Sequence, residues 1–172
     1  GTLTFRTVNT LHDNGAYTSW GATTPFVMMQ TISSLYRVPH CLYHTKAVYT
    51  NNPYAGSFRG YGNLQATFAV EQQIDELAEK LGIDPLEMRL KNAQDPGEVT
   101  PQGMHFKSCG LKECLTTAAE ASGFLAKSKT NAAERGKPGR FKRGIGIASM
   151  LHVGGGAKIY PSDGCGTILK MD

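Results

Sequence analysis

Residues 57–65 place Phe58, Arg59, Gly60, Tyr61 and Gly62 directly ahead of a long helical pattern that begins near Asn63. The first turn of a helix has unpaired backbone N–H groups and a partial positive charge, so anions settle there. Gly60 and Gly62 let the backbone come close to a ligand. Arg59 adds a planar fork of donors suited to oxyanions, and the ring of Tyr61 can lie against a planar substrate. The plainer alternative is a glycine-rich turn whose arginine caps a neighbouring carbonyl or pairs with Glu71. Two familiar phosphate motifs fail. A dinucleotide fold needs a third glycine at position 65, which is Gln65, and a P-loop needs a Gly-Lys-Ser/Thr that does not follow.

Other candidates are weaker. Glu71 sits near the apolar stripe of the following helix, either as a buried carboxylate orienting the loop or as a surface charge. His40 and His44 share one face of a strand because side chains alternate, but no third ligand lies in reach for a metal. His12 and Asp13 beside Asn14-Gly15 resemble an acid–base pair, and a turn built on local hydrogen bonds explains them equally well. Gly154–Gly156 offer backbone amides to a ligand or simply end a strand. Cys41, Cys109, Cys114 and Cys165 match neither a zinc ribbon nor a CxxC pair and read as reduced thiols of a cytoplasmic protein. No spacing supports a Ser/His/Asp or Cys/His nucleophile.

The elements that must position these residues follow from pattern. Leu3, Phe5 and Val8 mark a first strand. Asn14-Gly15 is a turn, and Thr23 or Thr24 is the expected N-cap of a helix carrying Phe26, Met29, Ile32 and Leu35. Residues 40–50 read as a second strand, and 51–60 as a loop. Ala66, Val70, Ile74, Leu77 and Leu81 form the stripe of the best helix, which Gly82 ends. Asp84 and Pro85 open another helix. A third amphipathic helix follows Gly110, and residues 127–143 look like a basic connector. Residues 144–153 and 165–172 are expected to form a final strand pair whose neighbours are missing, so the chain reads as a piece of a larger protein. The expected class is α+β, a mixed sheet with helices packed on one side, divided into a first lobe (1–136) and the opening of a second (137–172). With 172 residues, 40% hydrophobic, and a net charge of +4 (pI about 8.9), the chain is globular. It is mildly basic, enough for an anionic ligand but not an argument for nucleic acid. It has no apolar run of membrane-spanning length, and its opening residues are not expected to be a signal peptide.

Residues 57–92 closely resemble the large, molybdenum-binding subunit of the xanthine dehydrogenase/aldehyde oxidoreductase family. The shared signature is F-R-G-[FY]-G-x-x-Q, then a helix and an L-G-x-D-P-x-E-x-R-x-K-N segment. "HDNGAY", "YRVP", "TNNP" and "KRGIGIA" fall in matching order around it. Leu64 replaces a frequent proline, which alters loop stiffness more than chemistry. The resemblance implies a fragment of a molybdopterin-binding domain from an oxidoreductase that hydroxylates an N-heterocycle, aldehyde or aryl-CoA substrate with water as oxygen source. It assigns Arg59, Gly60 and Phe58 to the cofactor and Tyr61 to the substrate. It also implies iron–sulfur clusters and FAD on partner domains or subunits, and a pterin that can take the cytosine dinucleotide form. By count, the arginine of purine-oxidising members falls at Val27, which disfavours xanthine itself. The family's glutamate base lies outside this chain, so the 172 residues alone are expected neither to hold the cofactor stably nor to turn over. Self-association through uncovered apolar surface is expected as well. The rival readings are a stand-alone phosphate- or nucleotide-binding module and a catalytically silent family member.

Overall fold

In the computed structural model, residues 1–134, 136–152 and 166–171 are described. Strand β1 (Phe5–Gly15) pairs in parallel with β2 (His40–Tyr49), and helix α1 (Thr24–Ser34) makes the crossover between them. Then come α2 (Asn63–Leu81), α3 (Pro85–Asn92), α4 (Leu111–Ser122) and α5 (Phe124–Glu134). The α+β class is as expected. The sheet, expected to be mixed, is a single parallel pair among the described residues. Parallel strands need a long crossover, and α1 supplies it.

β1 is longer than its apolar pattern indicated, because polar residues occupy both of its faces. Arg6, Val8, Thr10, His12 and Asn14 turn inward, while Phe5 and Leu11 lie on the exposed side. Phe5, one of the apolar residues that mark the strand, lies on the exposed side because the inward row is set by Arg6 and Val8.

The main core joins Met28, Ile32 and Leu35 of α1, Tyr36 and Val38, Ala66, Val70, Ile74 and Ala78 of α2, and Met88 of α3. The stripe of α2 follows strict four-residue steps to Ala78. Leu81, expected in it, is exposed beyond the edge of the core. In α1 the buried set includes Gln30, Thr31, Ser33 and Ser34, while Phe26 is exposed. A helix packed on several sides loses its simple amphipathic signal.

Helix ends obey local rules. Asp84 accepts hydrogen bonds from the backbone N–H groups of Leu86 (2.8 Å) and Glu87 (3.4 Å), with Pro85 in the first turn. Gly82 ends α2 in the left-handed region at φ 65°. A smaller cluster of Leu86, Leu115, Ala119 and Phe124 seats α4 and the start of α5 on α3, with Ile145 and Ile147 against it.

Two further expectations fail. Residues 127–134 are helical rather than a connector, since "AKSKTNAAE" is built from good helix formers. The expected final strands do not form among the described residues 144–152 and 166–171; the remainder of that pair, and Gly154–Gly156, lie outside the described residues. No described helix is long and apolar enough to cross a membrane.

Candidate functional site

The Arg59 loop is a left-handed turn. Gly60 (φ 70°), Tyr61 (φ 54°, ψ 39°) and Gly62 (φ 86°) follow one another at positive φ, forming a 3₁₀ turn that feeds α2. Tyr61 is the one non-glycine residue with positive φ among those described. An L side chain in that region costs about 1–2 kcal/mol, so surrounding contacts must hold it. A Cβ on Gly62 would stand 2.4 Å from Thr24 Cγ2 and 2.8 Å from Met28 Cγ. The loop therefore lies directly on the first turns of α1, and only glycine fits there.

Asn63, the first residue of α2, is buried and anchors the turn from below. Its Oδ1 accepts from Thr31 Oγ1 (2.7 Å) and Thr67 Oγ1 (2.8 Å), and its Nδ2 donates to the Leu151 carbonyl (2.7 Å). No side chain caps α2; Gly62 holds the N-cap position. The Asn63 N–H donates to the Gly60 carbonyl, and no side chain accepts at the positive end of the helix.

Arg59 has extended backbone and an exposed side chain. Its guanidinium lies 5.8 Å from the ring centroid of Phe58, which is itself 96% exposed. Among the described residues Arg59 makes no ion pair. The alternative pairing with Glu71 is excluded, because both Glu71 oxygens are taken inside the core. Tyr36 Oη donates to Oε1 (2.5 Å), and Arg89 Nε and Nη2 donate to Oε2 (2.8 and 2.6 Å).

Arg89 is fully buried and also donates to Asp75 (2.7 Å). Burial works against its charge, but the Asp75 hydrogen bond and the attraction of Glu71 prevail and raise its pKa. Burial first, then the neighbouring Glu71 carboxylate, pushes the Tyr36 phenol far up, so it stays a donor. Of the two readings of Glu71, the buried carboxylate holds; it locks α2 to α3 rather than touching the loop.

A second network stands at the far end of the sheet. Asp13 accepts from the Gly15 N–H (2.9 Å), Thr50 Oγ1 (2.5 Å) and Asn52 Nδ2 (2.5 Å). The Thr50 and Asn52 hydrogen bonds, then that of Gly15, hold its carboxyl below the ordinary range. His12 is on the opposite face, near Thr10 Oγ1 at 3.2 Å, so adjacent strand positions keep the two apart and the turn reading stands. His40 and His44 do share a face, and no group of three potential metal ligands exists among the described residues. Val27 is buried at 4% exposure. Cys41, Cys109 and Cys114 are free thiols; Cys165 lies outside the described residues.

Sequence reasoning missed Arg89, Asn63 and the Thr23 hydroxyl. Arg89 carried a signal, three residues after buried Leu86 on the core side of α3. The other two are polar residues at helix entries, where capping is the usual expectation.

Bare backbone and an exposed arginine at a helix entry without a side-chain cap have the chemistry that suits an oxyanion-bearing ligand. The particular family is shown by comparison. The model of the molybdopterin cofactor-binding domain matches residues 1–93, and the chain belongs to this family. It is 38% identical over 156 residues to the xanthine dehydrogenase molybdenum-binding subunit of Escherichia coli O157:H7, covering 89% of this chain and 20% of that protein. It is 41% identical over 112 residues to the nicotinate dehydrogenase large molybdopterin subunit of Eubacterium barkeri, covering 63% and 26%. The aldehyde oxidoreductase structure from Desulfovibrio gigas superposes with a TM-score of 0.64 at 33% identity, over 74% of this chain and 14% of that one. The chain therefore corresponds to part of a molybdenum-binding subunit and spans about a fifth of the length of such curated relatives.

The residues fit the group this family binds. A molybdenum–pterin cofactor carries anionic oxygens, and the loop has groups that would suit them: an exposed guanidinium, a helix entry without a side-chain cap, and backbone without Cβ atoms at Gly60 and Gly62.

Proposed function

We propose that this chain supplies the Arg59–Tyr61 wall of the molybdenum–pterin centre in a hydroxylating oxidoreductase. Its substrate is an aromatic N-heterocycle, an aldehyde or an aryl-CoA. The observation that carries the reading is the left-handed Gly60–Gly62 turn, which sets an exposed Arg59 at the uncapped entry of α2. Arg59 and the backbone of Gly60 hold the oxyanionic part of the cofactor, and Phe58 packs against the guanidinium. Tyr61 shapes the substrate pocket. When bound, the cofactor supplies two-electron oxidation of a substrate carbon with water as the source of the inserted oxygen. Val27 puts no cation in the α1 position that would meet a purine, which favours substrates other than xanthine.

The same reading covers a pterin that can take the cytosine dinucleotide form, iron–sulfur and FAD centres on partner domains or subunits, a cytoplasmic setting, and a second lobe opening near residue 137. The names of the relatives, drawn from xanthine, nicotinate and aldehyde oxidation, support it. The match to the cofactor-binding domain over residues 1–93 favours it over a stand-alone nucleotide module.

The test is Arg59→Ala in the full molybdenum subunit, read by metal analysis and turnover. The variant is expected to lose about 100-fold or more in turnover, the scale seen when one positioned donor is removed. Full molybdenum occupancy together with full turnover would overturn the proposal. The isolated 172 residues should hold no stoichiometric molybdenum, which the same metal analysis checks.

A further inference from the structure

The phenol of Tyr61 meets the hydroxyl of Thr23, and the identity of the donor follows from counting hydrogens. Thr23 Oγ1 already donates to the Trp20 carbonyl at 2.8 Å. A threonine hydroxyl has one hydrogen to give, so in its contact with Tyr61 it accepts and the phenol O–H donates. A second observation points the same way. Thr23 holds the N-cap position of α1 yet makes no side-chain cap hydrogen bond, although its residue type is favoured there for that bond. Its hydroxyl serves Trp20 and Tyr61 instead. The Trp20 ring completes the clamp, edge-on to Tyr61 with centroids 6.0 Å apart and planes at 62°. Gly62, the residue after Tyr61, itself lies against Thr24 and Met28, where a Cβ would clash.

We infer that Thr23 and Trp20 are positioning residues that hold Tyr61 in its left-handed conformation, so that a substrate meets the ring of Tyr61 and not its O–H donor. The proposal rests on the molybdenum-centre reading for what the ring meets, but not for the clamp itself. Under it, Tyr61 selects substrates by planarity and stacking. Its phenol proton points into the protein, committed to Thr23.

Trp20 is the only tryptophan of the chain, so its fluorescence in the 172-residue protein reports the clamp without cofactor. Thr23→Val and Tyr61→Phe remove the same hydrogen bond from opposite sides. Each is expected to raise acrylamide quenching of Trp20 roughly two-fold, since a clamp short of one bond opens more often. Thr23→Ser, which keeps the acceptor, should match the parent. In the molybdenum-loaded enzyme, Thr23→Val and Tyr61→Phe should each lower kcat/KM about ten-fold, chiefly through KM, the scale of one lost hydrogen bond. Molybdenum content should be unchanged, Thr23→Ser should restore the rate, and the double variant should be no worse than either single one.

Unchanged quenching in both variants overturns the clamp. A Tyr61→Phe defect far larger than that of Thr23→Val also overturns the inference, because the phenol would then act on substrate directly. Should Thr23→Val fail to fold, Tyr61→Phe decides alone through quenching. A full subunit that holds no molybdenum overturns the functional reading and leaves the fluorescence result to judge the clamp.

Discussion

At the scale of single residues, the loop depends on one position without a side chain. Gly62→Ala forces a Cβ against Thr24 and Met28 at a residue already at φ 86°. Strain and overpacking together predict a loss on the order of 3 kcal/mol, measurable by urea unfolding. Gly82→Ala, at φ 65° with open space around its Cβ, should cost only the conformational part. Asp13 gives a pH signature. Its folded pKa is depressed by Thr50, Asn52 and Gly15, so its contribution is present above the unfolded carboxylate value near 4. That contribution is lost as pH falls through the lower folded value. The Gly15 amide resonance, followed by NMR, should titrate below pH ~4, and Asp13→Asn should abolish the transition.

At the scale of elements, the buried carboxylate–guanidinium pair decides how α2 meets α3, and so how firmly the loop's helix is held from behind. Removing one partner strands a charge in the core. Arg89→Leu or Glu71→Gln is therefore expected to cost about 3–5 kcal/mol by chemical denaturation. Asp75→Asn should cost under ~1 kcal/mol, because Asp75 is 46% exposed and water replaces its contact. Equal losses for Asp75 and Glu71 would show that burial does not govern the network. The more exposed cluster of Arg37 with Asp95 and Glu98, and Lys112 with Asp95, is screened by solvent and should matter little.

At the scale of the whole molecule, the parallel pair has only two strands among the described residues and leaves Phe5, Leu11 and Leu42 on an uncovered face. Uncovered apolar faces and unpaired strand edges favour association. The chain should self-associate in light scattering at micromolar concentration, and Leu42→Glu should shift it toward monomer. A monodisperse parent would contradict this. Much of the architecture was legible in advance because it rests on local signals. Alternation marked the first strand and aromatic and β-branched content the second, Asp84-Pro85 and Gly82 punctuated the helices, and Phe58–Gly62 marked the loop. The pattern misled where the environment was not two-sided. Phe5 and Phe26 face out, the row of α2 ends at Ala78, and residues 127–134 continue as helix.

The order of residues by itself determined that an arginine, two glycines and a tyrosine stand at a helix entry, since composition and spacing suffice for that. Whether Arg59 is free, which group Glu71 satisfies, and where the Tyr61 proton points were decided only in three dimensions. Each depends on residues distant in sequence, Arg89 for Glu71 and Thr23 for Tyr61, competing for the same few hydrogen-bonding atoms, and no local pattern records which of them arrives first.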